Sequence, residues 1–157
     1  MSAFNKLFYN SAEQEFQLVA KSTIAGILMC ASFVGFFLLM QLLGLAEMVW
    51  LRSFNGLFLA TGIFLLVRNF ASRNGESLEM LDGLRLGLRA TAIAVLPFSF
   101  FMYLVLSFNP EFLHLIQNTA DFGSFITPFS AAGMITVEGL VSGFMISYIM
   151  MMYFKKN

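Results

Sequence analysis

Four apolar runs, each near the length that crosses a bilayer, constrain this chain more than any other feature. A hydrocarbon core of about 30 Å is spanned by about 20 helical residues at ~1.5 Å rise each. Runs of that kind cover residues 23–43, 48–67, 91–108 and 131–154. The first holds no charge, the second has Arg52 near its start, and the fourth has Glu138 inside it. Composition agrees with lipid as the solvent: 59% of residues are hydrophobic and 11% charged, with 20 Phe and 11 Met. Soluble domains are about 45–50% apolar and about 25% charged. The expected fold is all-α: one four-helix transmembrane domain over residues 1–157, with short amphipathic interfacial helices. A cleaved leader is not expected. The first run is too long for a signal-peptide core and lacks an A-x-A pattern at its end.

Basic residues set the orientation. Lys6 and Lys21 precede the first run, Arg68, Arg73, Arg85 and Arg89 join the second to the third, and Lys155 and Lys156 close the chain. Only Arg52 falls on the other side, and residues 109–130 contain no Lys or Arg. Both termini are therefore expected in the cytoplasm, in a bacterial inner membrane. Arg85, Arg89, Lys155 and Lys156 are the candidates for contact with anionic headgroups.

The connections carry their own signals. Ser11 with Gln14 makes a capping-box pattern that predicts a helix start at Ser11, with Phe4, Leu7 and Phe8 as an interfacial anchor before it. Residues 77–89 place Leu78, Leu81, Leu84 and Leu88 at helical spacing among charges, which predicts an amphipathic cytoplasmic helix near the membrane surface that runs into the third span. Asn109-Pro110-Glu111 reads as N-cap, N1 and first-turn acid of a short helix to about Asn118. Phe112, Leu115 and Ile116 of that helix are expected to face the membrane surface, with Phe122, Phe125 and Phe129 at headgroup level.

Few residues offer chemistry. Glu138 costs at least ~2.5–3.5 kcal/mol to insert, so a contact with Arg52 or with hydroxyls inside the bundle is expected, a proton- or ligand-coupling role being the alternative. Pro97 predicts a kink in the third span. Gly139, Gly143 and Ser147 form a G-x-x-x-G stripe that lets another helix approach closely. Gly26, Ala31 and Gly35 make the first span the expected partner of that stripe, ahead of the third. His114 is the only histidine and Cys30 the only cysteine, which excludes a disulfide framework and leaves no metal site or cofactor expected. Nine basic residues balance nine acidic ones, which argues against nucleic acid as a partner. No nucleophile elbow, phosphate loop, paired catalytic carboxylates or H-E-x-x-H occurs.

Gly83-Leu-Arg-Leu-Gly87, Phe108-Asn-Pro-Glu-Phe112 and Glu138-Gly-Leu-Val-Ser-Gly-Phe-Met-Ile-Ser147 with the closing Lys155-Lys156 resemble a family. It is the small four-helix, domain-of-unknown-function membrane proteins common in Bacteroidota. The resemblance covers about residues 75 to 157. It implies no catalytic residues, and it implies as partner a membrane-associated glycosyltransferase acting on polyprenyl-phosphate sugars. Taken together, the expectation is a non-enzymatic accessory or scaffold subunit that meets the lipid bilayer and another membrane protein, or a second copy of itself. The alternative is a small oligomeric transporter, flippase-like protein or channel using Glu138.

Overall fold

The computed structural model describes residues 3–45, 53–74, 80–119 and 123–156. Its helices are α1 (Ala3–Leu42), α2 (Ser53–Asn74), α3 (Met80–Phe108), α4 (Pro110–Thr119) and α5 (Pro128–Lys156), with one 3-10 turn at Gly123–Phe125. Four of them are long and apolar enough to cross a membrane: Phe16–Leu42, Phe54–Ser72, Met80–Phe108 and Pro128–Phe154. The protein is an all-helical, four-span membrane protein.

Several boundaries differ from those expected. α1 is helical from Ala3, so Ser11 and Gln14 lie inside it and mark no helix start; the local capping pattern is overridden by continuation of a long helix. The second span runs on to Ser72 rather than stopping at Val67. Residues 80–89 are helical and run directly into the third span, as expected. They are the first turns of α3, packed lengthwise against α5, because Gly83, Leu86 and Gly87 are buried there. Pro97, the expected kink position, lies inside the continuous helix α3 on an exposed side.

Helix ends follow sequence more directly. α1 stops at Gly44, whose φ of 69° suits a residue without a side chain. Leu45 N–H donates to Met40 C=O at 2.9 Å and Gly44 N–H to Gln41 C=O at 3.2 Å, which is a Schellman termination. Asn109 Oδ1 accepts from Phe112 N–H at 3.2 Å and caps α4. Thr127 and Ser130 cap α5 reciprocally, Ser130 N–H donating to Thr127 Oγ1 at 3.1 Å and Thr127 N–H to Ser130 Oγ at 2.8 Å.

The spans form a ring in the order α1, α3, α5, α2, with α3 the most enclosed. Lipid gives no hydrophobic drive for helices to pair, so close packing between small residues has to hold them. The α3–α5 seam shows how. Gly83 lies against Met151, Gly87 against Ser147, Thr91 against Gly143 and Val95 against Gly139. Each helix contributes a residue every fourth position, and at each level a glycine faces a larger side chain. The two buried hydroxyls in the seam donate within their own helices, Thr91 to Gly87 C=O at 2.8 Å and Ser147 to Gly143 C=O at 2.6 Å. No polar group in the seam is left exposed to hydrocarbon. The glycine stripe of α5 therefore meets α3, not α1. On the other flank of α3, Gly26 of α1 sits against Ala90 and Ile93, whereas Gly35 meets nothing within 4 Å and packs no helix.

Candidate functional site

Close packing holds the half of the bundle nearest the termini and gives way in the half nearest α4. There the helices surround a cavity of about 370 Å³. Its wall is aromatic and aliphatic: Phe33, Phe36 and Phe37 from α1, Leu59 from α2, Phe98, Met102 and Leu106 from α3. Phe33 and Phe98 meet edge to face with ring centroids 5.4 Å apart, and Phe37 touches both Phe101 at 5.8 Å and Phe112 at 6.0 Å. These stiff rings prop the helices apart while keeping the cavity wall ordered.

α4 closes the end of the cavity. Phe112, Leu115 and Ile116 point into it rather than toward the membrane surface as expected. The amphipathic pattern was right and its destination differed, since the bundle interior and the bilayer surface both accept an apolar helix face. Gln117 fixes the roof by donating from Nε2 to Ile126 C=O at 2.7 Å. Gly123 lies so close to the Gln117 backbone that no side chain would fit.

The cavity also has an opening. Met134, Glu138 and Ser142 belong both to its wall and to the outward face of α5, beside exposed Val137 and Val141. Glu138 lies ten residues past Pro128, which is about 15 Å along the helix at ~1.5 Å per residue. It is exposed rather than enclosed in the bundle, and it makes no hydrogen bond or ion pair with another described residue. The expected enclosure inside the bundle is thus corrected. Arg52, its expected partner, lies outside the described residues. The azimuth of Glu138 explains its exposure: it precedes the seam residue Gly139 by one position, so it points about 100° away from α3.

A second polar group shares the wall. Asn55 of α2 lines the cavity, and its Oδ1 is buried with no hydrogen-bond partner among the described residues. Such an orphan acceptor costs about 1–3 kcal/mol, so it marks a place where something else is meant to bind or to hydrate. No sequence motif announces Asn55; its signal is an amide one turn inside an apolar span.

The other sequence candidates lie elsewhere. Arg85 and Arg89 are exposed near the start of α3, Arg85 standing 3.8 Å from Asp82. Lys155 and Lys156 are the last helical residues of α5, at the same end of the bundle. His114 shares its Nδ1 with Gln117 Oε1 at 3.1 Å on the exposed side of α4, away from the cavity wall. Glu138 is the only titratable side chain among the described lining residues. No protein-family model, curated protein or solved structure matches the chain.

Removing the charge checks the description of Glu138. A carboxylate facing hydrocarbon with no partner opposes insertion by at least ~2.5–3.5 kcal/mol. Glu138→Leu is therefore expected to keep or raise the thermal midpoint of the detergent-solubilised protein. A clear loss of stability would mean that the carboxylate is paired in the folded protein.

Proposed function

We propose that this is a non-enzymatic, multi-pass protein of a bacterial inner membrane that holds a lipid in its α4-side cavity as accessory subunit to a membrane-associated partner. The observation that carries this reading is the cavity itself: apolar, bounded by five helices, and open beside Glu138. A cavity of about 370 Å³ falls within the ~300–1,000 Å³ of ordinary ligand sites. Among the described lining residues no His, Cys or second carboxylate stands beside Glu138 to activate the hydroxyls of Ser142 or Thr119, which supports a holding role over a catalytic one. The exposed face of α5 around Glu138, which makes no hydrogen bond or ion pair with another described residue, is the natural meeting place with a partner helix bearing a hydrogen-bond donor. A glycosyltransferase acting on polyprenyl-phosphate sugars is the partner that the sequence resemblance implies.

The test is the mass of the complex recovered from native membranes in mild detergent. A stoichiometric protein partner is expected. Recovery of a pure homo-oligomer would overturn the accessory role and favour a small oligomeric transporter or flippase using Glu138. That second reading draws on the same cavity. Against it stands the termini-side half, where the Gly83–Met151 to Val95–Gly139 seam and Phe70, Val67 and Ile63 of α2 leave little room for a path.

Orientation is part of the proposal, with both termini in the cytoplasm and the α4 roof outside. A reporter active only beyond the inner membrane should be silent when fused after Asn157 and active when inserted near Asn118. The reverse pattern would place the cavity in the opposite leaflet.

A further inference from the structure

We propose that the cavity selects a neutral amphiphile whose polar end donates hydrogen bonds, a hydroxyl-headed lipid rather than one with a phosphate at that depth. The inference rests on the reading of the cavity as a lipid site and adds the chemistry of the head.

Chain and head are recognised by different parts of the wall. Phe33, Phe98, Met102 and Leu106 offer only apolar surface to a hydrocarbon chain. An unfilled space here forfeits dispersion contacts on every side, and the membrane outside is a reservoir of chains that reach the opening without crossing water. At the opening the chemistry changes. An ionised carboxylate accepts hydrogen bonds and donates none, and an amide oxygen does the same. Glu138 and Asn55 Oδ1 are both acceptors without a described donor. Ser142 adds a hydroxyl that adapts to either role, and Thr119 one that already donates to Leu115 C=O at 2.8 Å and can accept.

No Lys, Arg or His is among the described lining residues. A phosphate brought to this level would set an anion beside the Glu138 carboxylate in a medium of low dielectric, where like charges repel strongly. A hydroxyl can donate to either acceptor and brings no charge.

Two lipids sharing one oleoyl chain separate head from chain: monooleoylglycerol, with hydroxyls, and oleoyl-lysophosphatidic acid, with a phosphate. Delipidated full-length protein in mild detergent is titrated with each, and bound molecules are counted by native mass spectrometry. Monooleoylglycerol is expected at one per chain and to bind at least about tenfold more tightly than the phosphate analogue. Asn55→Leu and Glu138→Leu should each keep binding of the chain and remove most of that preference. Equal or tighter binding of lysophosphatidic acid would overturn the inference while leaving the lipid site standing. So would an undiminished preference in both variants. Binding of neither lipid would instead overturn the reading of the cavity as a lipid site.

Discussion

Gly143→Ile is expected to pull α5 away from α3 and to cost the protein roughly 3 kcal/mol or more, the upper range for overpacking a close-packed site. A Cβ at Gly143 would run into the side chain of Thr91. Thr91 has no exposed surface, is stiff at its branched Cβ, and is held by its 2.8 Å hydrogen bond to Gly87 C=O. Nothing at that level can give. The neighbours above and below, Val95 against Gly139 and Ser147 against Gly87, fix the register, so the strain cannot be relieved by sliding. Thermal unfolding in detergent measures the loss. Gly133→Ile on the same helix is the control: a Cβ there meets nothing within 4 Å, so stability should hold. Equal effects at the two positions would contradict the seam.

A comparable loss is expected at the opposite flank of α3. A Cβ on Gly26 would stand 2.7 Å from the Ala90 carbonyl oxygen and 2.7 Å from Ile93 Cβ. One of these is backbone, and Ala90 is completely buried, so neither rotamer change nor bending relieves the clash. Gly26→Leu should therefore force α1 off α3, again at roughly 3 kcal/mol. Gly35→Ala on the same helix should be neutral or stabilising by about 0.5–1 kcal/mol, since its surroundings are open and glycine weakens a helix. Circular dichroism melts of the pair distinguish the two glycines. If Gly26→Leu melts with the parent protein, α1 does not pack on α3 through this position.

These two seams show what a single sequence could and could not reveal. The spans were legible because membrane insertion depends on local apolar content, which a window of residues contains in full. The small-residue stripe of α5 was legible for the same reason. Its partner was not. Gly26, Ala31 and Gly35 advertise a small face on α1 just as Gly83 and Gly87 do on α3, and only the register between helices decides which is used. Ser11 looked like a helix start because capping patterns are local, whereas the long α1 is set by continuation through the membrane. The depth of Glu138 could be counted from the sequence, but its direction became readable only once Gly139 was known to face α3. The cavity was illegible in principle: five helices contribute to it, and Asn55 carries no pattern of its own.

The central claim is that the α4-side cavity holds one lipid, and the number of lipids retained per chain tests it most directly. Full-length protein released from lipid nanodiscs is weighed intact, beside Gly56→Phe and Ala131→Phe. Both positions line the cavity outside the α3–α5 and α1–α3 seams, and a Cβ at Gly56 meets nothing within 4 Å, so an added ring is expected to fill the space without disturbing a seam. One tightly held lipid is predicted on the parent protein and none on either filled variant, at unchanged thermal stability. Equal lipid retention by all three proteins would contradict the account.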